Sequence, residues 1–222
     1  VNLVEKVEKA VSDADNFKSG IGVDAFSVCG LTGVKIKHLL NNLCEGDTSY
    51  FEIGSFKGAT MIAALSNNPE ATGVLIEGFM EEYFGATGKD YLFHNIERVL
   101  GEERKVIGIL GDCYVGDVIE EAKNHGPYDV FFYDGNHGEI ETFQALDIYL
   151  PMMKDEFVLV IDDWDLDQMG TGIRAGTFRV LADKSYTIEK AWERMTPMGS
   201  DDDYHSGWWR GLYIAVVKKN ET

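Results

Sequence analysis

The sequence predicts an α/β fold: a doubly wound, mostly parallel β-sheet with helices on both faces and an antiparallel edge strand. Three observations predict it. Short apolar runs of strand character alternate with segments of helical periodicity along the chain. No linker rich in proline or glycine and no internal repeat interrupts that alternation. Acidic residues recur at the C-terminal ends of the apolar runs, where an open α/β sheet keeps its ligand crevice. With 222 residues and 45% apolar composition, the chain suits one such domain with a large core.

The elements follow in order. Residues 2–14 place Leu3, Val4, Val7 and Val11 on one helical face, and a second helix is expected over 34–43. Residues 49–53 read as the first core strand, 54–58 as a turn, and 59–65 as the start of a helix. A second strand, 74–76, ends at Glu77; a helix over 91–100 and a third strand over 105–110 come next. A helix over 115–124 leads to the buried strand 129–133, which ends at Asp134. After a helix over 140–149, a fifth strand, 157–161, ends at Asp162-Asp163. The tail is expected to hold a helix over 172–182 and two strands, 186–192 and 212–217, pairing antiparallel at the sheet edge. The expected organisation is a single domain over 1–222, with a helical cap (1–47), a core (48–163) and a tail of strands and acceptor-side loops (164–222).

Composition narrows the function. A net charge of −18 repels a phosphate backbone, so nucleic acid is not expected as a substrate. No stretch approaches the ~18 apolar residues of a membrane span, and the charged N-terminus does not read as a signal peptide. Cys29, Cys44 and Cys113 are odd in number, widely spaced and without a paired motif, which fits a reducing, cytoplasmic setting rather than a zinc site or a disulfide framework. A homo-oligomer stays open.

Five carboxylates, Glu52, Glu77, Asp134, Asp162 and Asp163, lie at or beside strand ends. Brought together they repel one another unless a ligand, hydroxyl donors or a metal compensates. The segment Glu52-Ile53-Gly54-Ser55-Phe56-Lys57-Gly58 follows a strand and opens a helix, and its glycines permit a tight turn and close approach of a ligand. Glu77 ends the next strand, 25 residues after Glu52, where a carboxylate can accept both hydroxyls of a ribose; alone, it reads equally as a solvated strand-end charge. Loop and carboxylate together favour a ligand containing a nucleoside. Phe56 stands where a dinucleotide-binding loop has its second glycine, which disfavours a pyrophosphate.

Glu52-Ile53-Gly54-Ser55 with Gly58 and Thr60 resembles the first motif of the class I S-adenosylmethionine methyltransferases, which are Rossmann-like. The resemblance implies that Glu52, Gly54, Ser55 and Gly58 lie against the methionine part of that cofactor and that Glu77 holds its ribose. Gly111-Asp112-Cys113 resembles the segment beside the adenine, with Asp112 accepting from the exocyclic amine; Asp112 reads equally as a helix cap, and both can hold. Thr32-Gly33, ahead of the second helix, offer backbone N–H groups to the cofactor carboxylate.

Asp134-Gly135-Asn136-His137 follows one strand, and Asp162-Asp163 follows the next, 28 residues after Asp134. Three carboxylates on neighbouring strand ends, Asp134, Asp162 and Asp163, can supply hard oxygen ligands to Mg²⁺ or a similar divalent ion; read singly, they cap or terminate their elements. His137 is placed to take a hydroxyl proton as general base, or stands by as a loop residue. The pattern resembles the metal-dependent small-molecule O-methyltransferases of the macrocin type and the related proteins labelled cephalosporin hydroxylases. That resemblance implies a metal on Asp134, Asp162 and Asp163, and an acid or His137 as the base that activates a hydroxyl on a small-molecule acceptor. Glu139-Ile140 replaces the tyrosine common two residues after the histidine, and Lys154-Asp155 replaces a glycine pair; both changes bear on the acceptor pocket. A different metal enzyme on the same fold, hydroxylase- or hydrolase-like, and a non-catalytic nucleoside-binding module are the competing readings. The run 199–205 reads as an exposed acidic loop, able otherwise to close over an acceptor or hold a cation, and Trp208 and Trp209 as packing residues before the last strand, with one of them able to line the acceptor pocket.

Overall fold

The computed structural model describes residues 2–78, 88–101, 105–183, 186–196 and 207–220. The acidic run 199–205 lies outside them. Among the described residues, helices α1 (Leu3–Asp15), α2 (Val23–Phe26) and α3 (Val34–Leu43) precede strand β1 (Ser49–Ile53) and helix α4 (Ala59–Leu65). Then come β2 (Thr72–Glu77), α5 (Gly88–Leu100), β3 (Val106–Leu110), α6 (Gly116–Asn124), β4 (Tyr128–Tyr133), α7 (Glu139–Tyr149) and β5 (Met153–Asp162). A 3₁₀ segment, Trp164–Met169, leads to α8 (Ile173–Asp183), β6 (Tyr186–Arg194) and β7 (Leu212–Lys219).

The seven strands form one sheet in the order β3-β2-β1-β4-β5-β7-β6. β1 to β5 pair in parallel, whereas β7 runs antiparallel between β5 and β6. The expected antiparallel pair is therefore present, with β6 at the edge. This is a Rossmann-like fold. Strand order reverses at β1: β2 and β3 lie on one side of it, β4 and β5 on the other. The reversal opens a crevice at the C-terminal ends of β1 and β4, flanked by β2 and β5. Glu77, Asp134, Asp162 and Asp163 all stand at these ends.

Alternation along each strand builds two cores. On one face Tyr50, Leu75, Val130, Phe132, Val158, Ile214 and Val216 pack under α1, α3 and α4. On the other, Phe51, Val74, Phe131, Leu159 and Tyr213 pack under α6, α7 and α8. Phe51 stacks on Tyr128 at a ring separation of 4.8 Å, with Phe131 and Tyr149 beside it. β5 starts at Met153, earlier than the apolar run suggests, because Met153 pairs with Tyr128 of β4; the exposed Lys154 and Asp155 follow in a register irregularity, and pairing with β7 begins at Glu156. No helix among the described residues is long and apolar enough to cross a membrane.

The N-terminal helices are tied down by buried polar groups. Asn2 and Glu5 form a reciprocal capping box at the start of α1. Lys37 is 7% exposed and donates to the carbonyls of Phe26 and Val28 at 2.9 and 2.7 Å, which holds the chain after α2. Asp15 accepts from Arg194 (2.7 Å) and from the Trp208 indole (2.9 Å), joining α1 to the tail. Trp208 is thus a packing residue, as the sequence suggests, with a polar anchor as well.

Candidate functional site

The glycine loop leaves β1 through three residues in the left-handed region: Gly54 (φ 91°), Phe56 (φ 48°) and Gly58 (φ 83°). At Gly54 the requirement is absolute. A Cβ there would sit 1.9 Å from the Asp134 carbonyl oxygen, so the loop can pass across the end of β4 only as glycine. The Asp134 N–H donates to the Ile53 carbonyl at 2.9 Å, continuing the β1–β4 register into the site.

Glu52 carries the loop from beneath. Its carboxylate is fully buried and accepts from the Tyr50 hydroxyl (2.7 Å) and the Ser55 hydroxyl. Tyr50 and Glu52 are two residues apart on one strand and share a face, a signal already present in the sequence. Glu52 and Ser55 satisfy each other inside the fold, so Glu52 fixes the shape of the loop. Burial pushes Glu52 up to about 7, although the Ser55, Tyr50 and Thr60 hydroxyls favour its charged form. The folded protein then keeps a proton that the unfolded chain releases near its ordinary value of 4.5, so this residue lowers stability as pH rises from 4.5 to about 7. Glu52→Gln is expected to remove that part of the slope. The variant should gain on the parent between about pH 5 and about pH 8 by at most on the order of 3 kcal/mol. Denaturant melts of both proteins across that range check it; parallel curves would contradict it.

Glu77 stands beside the loop. Its Oε2 accepts the Phe56 N–H at 2.6 Å, which binds the end of β2 to the glycine turn and sets the carboxylate at the crevice. Asp112 is exposed beyond β3 and accepts the Tyr114 N–H at 3.0 Å. It therefore closes a turn ahead of α6, whose N-cap is Val115. Gly30 packs against Ala59 at the start of α4, where its Cβ would lie 2.5 Å from that of Ala59. This brings Thr32 over the same helix end. The Thr32 hydroxyl is buried and lacks a hydrogen-bond partner among the described residues. Gly33 caps α3 and packs on the Gly207 carbonyl, which accepts the Lys35 N–H at 3.3 Å.

The second half of the site is acidic. Ligand atoms of Asp134, His137 and Asp163 lie within 4.8 Å of one another. His137 Nε2 is 2.8 Å from Asp163 Oδ2 and 3.8 Å from Asp134 Oδ1. The 2.8 Å contact is an ion pair, and the buried Nε2 makes no aligned hydrogen bond among the described residues. Tyr133 fixes the loop by donating to the Asn136 carbonyl at 2.6 Å. Asp163 is held at φ 55°, and its N–H donates to Asp162 Oδ1 at 2.9 Å.

Asp162 does not belong to the convergent group. Successive residues of an extended strand face opposite ways, and the left-handed turn at Asp163 sends only one of the two carboxylates toward His137. Asp162 is 2% exposed and braces the turn. Burial and then the charges of Asp134 and Asp163 hold it well above the usual carboxylate range. Burial likewise pushes Asp134 up to about 7, with His137 opposing and the Asp163 charge adding. Burial pulls His137 down, but Asp134 and Asp163 outweigh it and push the imidazole up to about 9. Arg210, absent from the sequence reading, brings a guanidinium within 3.8 Å of Asp163 and stacks it over Trp209 at 4.4 Å. A polar cleft of about 540 Å³ lined by Asp13, Lys18, Asn41 and Asn67 lies at the other end of β1 and β2, away from these groups.

No protein-family model matches the sequence, and no curated relative does. Solved structures do. An O-methyltransferase from Bacillus cereus, in complex with S-adenosylhomocysteine, aligns over 96% of this chain and 91% of its own at 17% identity, with a TM-score of 0.59. The O-methyltransferase TomG from Streptomyces achromogenes, involved in tomaymycin synthesis and bound to S-adenosylmethionine, aligns over 95% and 90% at 20% identity, with a TM-score of 0.58. A precorrin-6y C5,15-methyltransferase from Geobacter metallireducens aligns over 91% and 97% at 17% identity, with a TM-score of 0.60. At these identities the likeness is one of fold.

Proposed function

We propose that this chain is an S-adenosylmethionine-dependent methyltransferase that methylates a hydroxyl oxygen of a small molecule with the help of a divalent cation. One observation carries the reading. The glycine loop with Glu77 and the Asp134–His137–Asp163 group occupy adjacent strand ends of one crevice, and Gly54 packs directly on Asp134. A nucleoside cofactor on β1 and β2 would thus face a cation on β4 and β5. The solved neighbours that carry S-adenosylmethionine or its product on this frame support the cofactor.

Each half has residues that fit its group. Glu77 offers a carboxylate to ribose hydroxyls, the turn at Gly54, Ser55 and Gly58 lets a methionine chain approach the backbone, and Thr32 has an unpaired buried hydroxyl at the same helix end. Asp112 stands beyond β3, on the side expected for the adenine. On the other side, Asp134 and Asp163 supply hard oxygen donors, and the buried, unpartnered Nε2 of His137 is an atom that a bound ion would satisfy. Held by Glu77 and the glycine loop, S-adenosylmethionine would supply a sulfonium methyl for the acceptor oxygen, with S-adenosylhomocysteine and a proton as the other products, and a cation held by Asp134, His137 and Asp163 would lower the pKa of the acceptor hydroxyl. The chain contributes alignment: Gly54 and Asp134 hold the two halves in van der Waals contact, so both reactants meet at one strand boundary.

The test is to incubate the protein with methyl-labelled S-adenosylmethionine, Mn²⁺ or Mg²⁺, and a panel of phenolic, catecholic and sugar hydroxyl compounds. Mass spectrometry should show S-adenosylhomocysteine together with label on an oxygen of one panel class. Label on carbon or nitrogen only would overturn the O-transfer reading.

A further inference from the structure

We infer that His137 is a metal ligand rather than the catalytic base, so that the site binds a transition-series divalent ion through two carboxylates and one imidazole in preference to magnesium. This rests on the reading that the cation site serves the methyl transfer. The sequence favours magnesium because all its expected donors, Asp134, Asp162 and Asp163, are oxygens. The fold changes that donor set. Asp162 Oδ1 braces the Asp163 turn and the residue lies outside the convergent group, where His137 takes the third place.

Three features support the exchange. Nε2 lies between two carboxylates, 2.8 Å from one and 3.8 Å from the other, and is buried without an aligned hydrogen bond among the described residues. The backbone that carries each donor is also fixed before any ion arrives: at Asp134 by its N–H on Ile53, beside His137 by the Tyr133 bond to Asn136, and at Asp163 by the left-handed turn that Asp162 holds. Finally, the chemistry of the set is mixed. Magnesium binds oxygen and keeps its waters, whereas manganese, iron, cobalt and zinc accept imidazole beside carboxylate.

The experiment loads the 222-residue protein with Mn²⁺ and records pulsed electron paramagnetic resonance. The expected result is bound Mn²⁺ whose echo is modulated by a directly coordinated ¹⁴N, with that modulation lost in His137→Gln. In calorimetry with the metal alone, His137→Gln should weaken Mn²⁺ by roughly tenfold or more while changing Mg²⁺ far less. Bound Mn²⁺ without ¹⁴N modulation in the parent protein would overturn the inference and leave an all-carboxylate cation site standing. No Mn²⁺ binding at all would overturn the cation reading itself, and the inference with it. The parent spectrum decides between these outcomes without relying on the variant's folding.

Discussion

Chelation is expected to stop methyl transfer by this protein while leaving the cofactor bound. The reason lies in how the crevice is divided. The glycine loop and Glu77 stand on β1 and β2, and the Asp134–His137–Asp163 group stands on β4 and the end of β5. Excess EDTA should therefore abolish formation of S-adenosylhomocysteine from any acceptor the panel identifies, and added Mn²⁺ should restore it. Asp134→Asn should imitate chelation. It keeps the shape and the backbone contact with Gly54 but removes a charge from the donor set, and a loss of roughly a hundredfold or more is expected. Turnover with and without EDTA, beside cofactor affinity measured on the same samples, checks both halves. Undiminished turnover in excess EDTA would leave a metal-free methyltransferase as the surviving reading.

Glu77→Ala is expected to have the largest effect on the cofactor. A carboxylate accepting ribose hydroxyls forms charge-assisted hydrogen bonds worth roughly 1.5–3 kcal/mol. Its loss corresponds to about tenfold to a hundredfold or more in affinity. The substitution also releases the Phe56 N–H, which Glu77 holds at 2.6 Å, so the turn loses an anchor. Glu77→Gln separates the two effects, because its amide oxygen can still accept the Phe56 N–H while the charge is gone. Calorimetry with S-adenosylmethionine should rank the parent first, Glu77→Gln second and Glu77→Ala last. Equal affinity in all three, with melting curves unchanged, would remove Glu77 from the site.

The frame was legible because its signals are periodic. Apolar runs ending in acidic residues marked β1, β2, β4 and β5, and the helices between them kept a clear period. The site was legible only as far as chain position determines it. Glu77 and Asp134 stand where a strand end must put them. Asp162 and Asp163 look equivalent in sequence, and only the left-handed backbone at Asp163 decides which carboxylate turns toward His137. Glu52 looks like a ligand-facing acid because it opens the glycine motif. Tyr50 and Ser55 instead enclose it, through contacts that depend on a shared strand face and on the tightness of the turn. Arg210 lies 47 residues beyond Asp163 and meets it because β7 inserts antiparallel beside β5. No local pattern carries that pairing.

The most direct measurement is titration calorimetry of the purified protein with S-adenosylmethionine and with S-adenosylhomocysteine, in the presence and absence of Mn²⁺. The account predicts one site per chain for each compound, at micromolar affinity or about −8 kcal/mol, and near-equal affinity for S-adenosylhomocysteine with and without the ion. No binding of either compound at millimolar concentration, by a protein that melts cooperatively, would contradict it.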